Sequence, residues 1–288
     1  MKIVITGPNG YIAKNLILSF KSKKNIILLS HKKSSFYKKY KVLKFDLRKG
    51  IIPKIECDIL IHIAGITPQK RYPPENFKKI NFLGIKSIIK KIHIRKKLIF
   101  LSTIDVYKNQ NNSKPVKESF KIDYSKLTNY AKSKYKSENF LRSLNKKKYP
   151  FQKFILRLPG IVGKNNHPNF ISDLIERIIY KKKFVYFGKD NYFNNIYHID
   201  TLVKLINSLI KKKIKTNFLI INVGTKKPLK LSKIIKFLRG KMNSKVNYNF
   251  KNDLFTINVT RLNKYYKNNL NTKIVIRKYF TEKLKNKK

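Results

Sequence analysis

The chain has 288 residues, 42% of them hydrophobic, and a formal charge of +54 at pH 7. That length supports one large domain or two modest ones with real cores. No stretch reaches the roughly 18 to 20 apolar residues of a membrane span, and a lone cysteine, Cys57, excludes an internal disulfide framework and fits a reducing cytoplasm.

The charge itself points to no specific partner. Nine of the 68 basic residues are Arg and 59 are Lys, spread along the whole chain. A reader of nucleic acid would use the planar fork of Arg more often. Plentiful Lys, Asn, Ile, Tyr and Phe mark a compositional bias, so no specific nucleic-acid partner is expected. The start, Met-Lys-Ile-Val-Ile-Thr, reads as a strand rather than as a signal peptide.

In chain order, Ile3 to Thr6 is predicted as a strand and Tyr11 to Phe20 as a helix. Strands follow at Asn25 to Ser30, Lys41 to Phe45 and Ile59 to Ile63. Glu75 to Ile92 is helical, with Phe77, Ile80, Leu83, Ile88 and Ile92 near helical spacing. Leu98 to Leu101 is a strand, Asp123 to Leu144 a long helix and Phe154 to Leu158 another strand. Apolar strands alternating with helices imply a parallel sheet covered on both faces. Beyond Pro159 the pattern loosens: Phe170 to Tyr180 is helical, Phe184 to Phe187 extended, Asp200 to Ile210 helical and Phe218 to Val223 a strand.

Three constellations carry chemistry. Thr6-Gly7-Pro8-Asn9-Gly10-Tyr11-Ile12-Ala13 follows a strand and opens a helix. Gly7 and Gly10 let the backbone turn sharply and approach a pyrophosphate, which the helix N-terminus favours. Ala13 stands where a third glycine is usual, and is small enough for close packing of helix on sheet. Tyr130-Ala-Lys-Ser-Lys134 places a lysine four residues after a tyrosine, on one helix face. There Lys134 would favour the phenolate of Tyr130, which could then exchange a proton with a substrate oxygen. The same spacing starts at Tyr37, Tyr40, Tyr149 and Tyr279, so position, after the fifth strand and before the sixth, selects Tyr130. Thr103 lies at the C-terminal end of the fifth strand, the edge where open parallel sheets bind ligands.

Together these motifs resemble the extended short-chain dehydrogenase/reductase family, also called the NAD-dependent epimerase/dehydratase family. The resemblance extends to Asp46 and Leu47 after the third strand, His62-Ile63-Ala64-Gly65, Asn81 with Gly84, Leu156 to Gly163, Tyr197-His-Ile-Asp200 and Asn222-Val-Gly224. It implies an α/β fold, a Rossmann-type doubly wound parallel sheet with a smaller C-terminal substrate-binding subdomain. Residues 1–163 would form the dinucleotide-binding domain, its sheet completed by about 198–224, and 164–197 with 225–288 the subdomain. Thr103, Tyr130 and Lys134 would be catalytic. Gly7, Asn9, Gly10, Tyr11, Ile12, Ser30, His31, Lys32, Asp46, Leu47, Ile63, Ala64, Gly65, Asn81, Pro159 and Ile161 would join Tyr130 and Lys134 around the dinucleotide.

The departures narrow the expected activity. Sugar 4,6-dehydratases of the family carry Thr-Asp-Glu where this chain has Thr103-Ile104-Asp105, so the acid for dehydration is missing. Gly160 stands where 4-epimerases place an Asn, and Asn194 where an Arg grips the nucleotide phosphates; Arg261 or Lys264 could supply that contact. The expected activity is NAD(P)-dependent epimerisation or keto-reduction of a sugar-like carbonyl or carbinol, with a nucleotide sugar as substrate. The alternative is a non-catalytic dinucleotide-binding regulator. The second strand ends Ser30-His31-Lys32-Lys33, without the acid that holds the ribose of NAD, which favours NADP. The resemblance also allows a homodimer through the family's helices four and five on one sheet face, the first of which carries Asn81 and Gly84.

Overall fold

The computed structural model describes residues 1–32, 35–68, 72–110, 115–180, 184–187, 191–239, 246–249, 255–267 and 269–285. The chain divides into two compact units. The first comprises Met1–Val106, Leu127–Arg157 and Val203–Ile220, the second Tyr107–Lys126, Leu158–Leu202 and Ile221–Lys288.

The first unit is built on β1 (Ile3–Thr6), α1 (Tyr11–Leu18), β2 (Ile26–Ser30), β3 (Lys41–Lys44) and β4 (Ile55–His62). There follow α2 (Pro74–Asn76), a π-helical stretch Phe77–Leu83, α3 (Gly84–Lys91), β5 (Ile92–Thr103) and α4 (Asn129–Ser143). The strands β6 (Gln152–Leu158) and β11 (Phe218–Asn222) complete a seven-stranded sheet, ordered β11-β6-β5-β4-β1-β2-β3. The pairs β1–β2, β1–β4, β2–β3 and β4–β5 are parallel. This is the doubly wound parallel fold expected, with flanking helices. The order reverses at β1, so the C-terminal ends of β1 and β4 stand at the topological switch point, where open parallel sheets form their ligand crevice.

The sheet is apolar because both its faces are covered. Every residue of β1 and β2 is buried. Val4, Leu60 and Phe100 of the strands pack with Ile85 and Ile88 of α3 and Leu141 of α4. Each such side chain contributes about 1.5–3 kcal/mol when fully removed from water.

Three elements depart from expectation for identifiable reasons. The long helix α4 starts at Asn129 rather than Asp123, because Thr128 caps it by accepting a hydrogen bond from the Ala131 amide (3.3 Å). Upstream, the Asp123 side chain accepts from the amide and hydroxyl of Ser125, which ties a turn instead. Second, the helix expected over Glu75 to Ile92 contains the π-helical stretch, and its extra residue per turn falls where Asn81 points inward. Third, β5 is 12 residues long and begins directly after α3. Its charged stretch, His93 to Lys97, hides the alternation of Ile92 and Ile94 into the core.

The second unit has its own core. It holds β7 (Gly160–Val162), α5 (Phe170–Ile179), β8 (Phe184–Phe187), β9 (Tyr192–Phe193), β10 (Ile196–His198), β12 (Leu229–Lys230), α7 (Leu231–Arg239), β13 (Val246–Asn249), α8 (Thr260–Tyr265) and α9 (Thr272–Lys285). The helix α6 (Ile199–Lys211) starts here and continues into the first unit. Ile175 of α5, Ile234 of α7 and Ile276 of α9 lie at the centre of this core.

Candidate active site

The turn after β1 is shaped by glycine. Gly7 has φ +66°, a left-handed conformation, and a Cβ there would lie 2.8 Å from the Cα of Ala64. Only a glycine lets the turn lie this close to the end of β4. The amide of Gly10 donates to the carbonyl of Gly7 (3.1 Å), and Gly10 occupies the N-cap position of α1. No side chain caps this terminus and no acid occupies the first turn of α1. The helix end is therefore free of competing negative charge, as an anion-binding terminus requires. Ala13 is completely buried.

Thr6, quoted in the motif without a role of its own, fixes the opposite wall. Its Oγ1 accepts from the amides of Ile63 (3.1 Å) and Ala64 (3.0 Å). With its acceptor positions filled, the hydroxyl donates its proton to His62 Nδ1 (2.8 Å). His62 is fully buried, and burial together with the charge of Lys134 lowers its pKa to about 3. It is thus a neutral brace. Asn81 holds the next residues: its Oδ1 accepts from the Ile66 amide (2.9 Å), and its Nδ2 donates to the Ile66 carbonyl (3.0 Å) and Ser133 Oγ (3.1 Å). Its amide is committed to shaping the Ile63–Ile66 segment. A Cβ on Gly65 would meet Asn81 Oδ1 at 2.9 Å and Lys134 Nζ at 3.7 Å, so this glycine leaves room directly over both.

At the end of β2, Ser30 Oγ donates to the Lys32 carbonyl (2.8 Å) and accepts from Asn9 Nδ2 (3.0 Å). Tyr37 donates to Asn9 Oδ1 (2.8 Å), and burial pushes its pKa up to about 12. Residues Asn9, Ser30 and Tyr37 thus form a neutral network; Lys33 lies outside the described residues. Asp46 is gripped by Arg48, whose Nε donates to Oδ1 (3.0 Å) and Nη2 to Oδ2 (2.7 Å), and these bonds hold its pKa at about 2. Next to it, Leu47 packs on Gly84, where a Cβ would lie 3.2 Å from its methyl groups.

The candidate reactive groups, Thr103, Tyr130 and Lys134, meet at the end of β5. Tyr130 and Lys134 lie on one face of α4, as the spacing predicts. The Thr103 side chain hydrogen-bonds the Tyr130 phenol, and the Asp105 amide donates to Thr103 Oγ1 (3.1 Å). Lys134 is buried; its Nζ donates to the Leu101 carbonyl (2.8 Å) and stands 4.9 Å from the centre of the Phe100 ring. Burial lowers its pKa to about 8, against a rise from Glu138. The surroundings of Tyr130 work against the expected phenolate. Burial and the nearby Asp105 carboxylate push the Tyr130 pKa well above 10, and only the Thr103 bond opposes them. Tyr130 is therefore a neutral phenol at neutral pH.

The second unit carries the remaining expected residues. Pro159 precedes β7, in which Gly160 and Ile161 pair with Ile196 and Tyr197 of β10. A Cβ on Gly160 would meet the Asn169 side chain at 3.2 Å. Asn194 does not offer its side chain to a phosphate. It is buried, its Nδ2 donates to the carbonyls of Thr225 (3.1 Å) and Ile257 (2.8 Å), and its Oδ1 accepts from the Ile257 amide (3.0 Å). It braces the chain instead. On α8, Arg261 stands 3.8 Å from the buried Glu118 carboxylate, and Lys264 is exposed.

Comparison with known proteins identifies the family and the fold. The family model described as NAD dependent epimerase/dehydratase family matches residues 3–224. A curated GDP-6-deoxy-D-talose 4-dehydrogenase from Aggregatibacter actinomycetemcomitans is 22% identical over 229 residues, 78% of this chain and 75% of that one. Two solved structures share the fold. UDP-glucuronic acid 4-epimerase from Bacillus cereus, in complex with NAD, has a TM-score of 0.76 at 17% identity, covering 98% of each chain. UDP-glucose 4-epimerase from Thermotoga maritima, with UDP-glucose, has a TM-score of 0.77 at 16% identity, covering 100% of each chain.

Proposed function

The chain belongs to the NAD dependent epimerase/dehydratase family, and from that premise we propose that it is an NAD(P)-dependent epimerase or reductase acting on a carbinol or ketone of a nucleotide sugar. The observation that carries the reading is the convergence of Thr103, Tyr130 and Lys134 at the end of β5, beside the glycine-shaped crevice.

The crevice fits a dinucleotide. The uncapped α1 terminus at Gly7 and Gly10 would take the pyrophosphate, Ser30 and Asn9 the adenosine ribose, and Leu47 beside Asp46 the adenine. Gly65, Asn81 and Lys134 would lie along the nicotinamide half. When bound, the cofactor supplies hydride acceptance and donation. Thr103 orients the substrate oxygen, and Tyr130, a phenol in this environment, donates its proton as a ketone is reduced. Carbinol oxidation needs the reverse transfer, which added positive charge near Tyr130 would favour. The lack of an acid at Ile104 speaks against dehydration.

The cofactor assignment extends to NADP. Relatives of known structure are in complex with NAD, yet the neutral Ser30 and adjacent Lys32 remove the charge that would repel a 2′-phosphate. Among the described residues no helix is long and apolar enough to cross a membrane, and the buried Cys57 suits a cytoplasmic enzyme. A homodimer through the outer faces of α3 and α4 would bring Lys86, Lys90 and Lys136 of two copies together, so its association should strengthen with salt.

The test is mass spectrometry of any dinucleotide carried by the purified protein, then titration with NADH and NADPH and assay on UDP- and GDP-sugars. Retained cofactor with no net NAD(P)H use identifies an epimerase. Stoichiometric consumption identifies a reductase. Failure to bind either dinucleotide refutes the proposal.

A further inference from the structure

Beneath the reactive groups lies a second layer that the functional reading does not use. Tyr130, Lys134 and Glu138 are spaced four residues apart on α4 and share one face. Each meets the end of β5. Tyr130 bonds Thr103, Lys134 donates to the Leu101 carbonyl, and Glu138 Oε1 accepts from Ser102 Oγ (2.5 Å). The contacts make a three-rung ladder from helix to strand.

The third rung is anchored from behind. Arg157 of β6 is 1% exposed, and its Nε lies 3.1 Å from both carboxylate oxygens of Glu138, its Nη2 2.5 Å from Oε2. Glu138 is itself fully buried. A carboxylate so placed is costly unless its lone pairs are satisfied, and Ser102 and Arg157 satisfy them. Such a fixed charge, one helical turn from Lys134, offsets the burial of the ammonium.

We propose that Glu138 is a positioning residue for the reaction site: its carboxylate, locked by Arg157 and Ser102, sets a fixed negative charge one helical turn from Lys134 and holds the Tyr130–Lys134 face of α4 on the end of β5. The proposal rests on the assignment of Tyr130 and Lys134 made above. The ionisable neighbours of this face are few. His62 of β4 is neutral, Tyr130 and Glu138 share the helix, Asp105 follows β5 and acts on Tyr130, and Arg157 of β6 is engaged by Glu138. Among these, Glu138 is the group whose charge raises the proton affinity of Lys134.

The test reads the titration of Lys134 without any substrate. Urea unfolding of the full chain is followed from pH 6 to 10.5 for each background and for its Lys134→Met counterpart. The pH at which their stability difference begins to rise reports the loss of the Lys134 proton from the folded state. That onset is expected near 8 for the wild type and about one unit lower for Glu138→Gln. Glu138→Asp, which keeps the charge, restores the wild-type onset. Because removing one partner of a buried pair can abolish folding, the double variant Glu138→Gln with Arg157→Met replaces the pair by neutral groups of similar volume, and the same lowered onset is expected. An onset unchanged in the neutral variants overturns the proposal. NADH fluorescence, measured in parallel, separates the two readings. A wild type that binds no dinucleotide refutes the functional assignment, whereas an unshifted onset with intact binding refutes the role of Glu138 alone.

Discussion

Replacing Lys134 by Met should relieve a measurable strain in the fold, and its size can be worked out in advance. An unfolded lysine titrates at 10.5, while burial holds Lys134 near 8 in the folded chain. Below pH 8 both forms carry the proton, and the buried ammonium weakens the fold by the full difference. Between pH 8 and 10.5 the unfolded chain binds more protons, so raising the pH stabilises the native state. Each unit is worth about 1.4 kcal/mol, so the gap amounts to roughly 3 kcal/mol. The variant also loses the bond to the Leu101 carbonyl and the contact with Phe100. Those losses shift the difference between the two proteins by a constant, and the shape of the pH dependence isolates the charge. The assay is urea unfolding of the cofactor-free proteins at pH 7 and at half-unit steps from 8 to 10.5. The wild type should gain about 3 kcal/mol on the variant across that window. A difference that stays flat from pH 7 to 10.5 would show that Lys134 keeps an ordinary proton affinity, and the account of this site as a desolvated one would fail.

Three further outcomes test the site. Tyr130→Phe removes the proton donor but not the ring that packs on Phe77; turnover should fall about 10²–10⁴-fold, with NADH affinity retained in a fluorescence titration. Gly7→Ala forces a Cβ to 2.8 Å from the Ala64 backbone at positive φ; it should destabilise the fold by about 1–3 kcal/mol and weaken dinucleotide binding, and unchanged calorimetric titrations would contradict the crevice assignment. Ser30→Asp adds the missing acid beside Asn9; NADPH should lose affinity relative to NADH by about tenfold or more, as read from paired titrations.

The order of strands and helices, the glycine turn and the Tyr130–Lys134 face were legible because each depends on residues close in sequence. Gly7 and Gly10 sit three apart, and Tyr130 and Lys134 four apart. The electrostatic state of the site was not legible in that way. Neutral Tyr130 follows from its burial and from Asp105, which is 25 positions upstream by numbering (130 − 105). Asn194 looks like a ligand-facing replacement for Arg until its contact with Ile257, 63 residues away, is seen to consume it. Glu138 and Arg157 are unremarkable as letters in a charged chain; only the approach of α4 to β5 and β6 reveals that both are interior. The π-helical stretch escaped the periodicity for a related reason. A single extra residue per turn barely disturbs an apolar pattern, although it decides where Asn81 points.

Lysine is so abundant here that some of it has gone inside. Lys97 is buried in β5 and donates to the carbonyls of Leu209, Ile210 and Lys212. Lys153 is buried at the start of β6 and donates to the Tyr149 carbonyl. With Lys134 they are, among the described residues, three buried lysines that work as interior hydrogen-bond donors rather than as surface charge. An amine-reactive reagent should therefore modify this protein in two waves, most of its amines at once and these three only when the native packing opens. Peptide mapping of the slow wave would follow the sheet's own opening rate, with the rapidly labelled surface as an internal standard in the same tube.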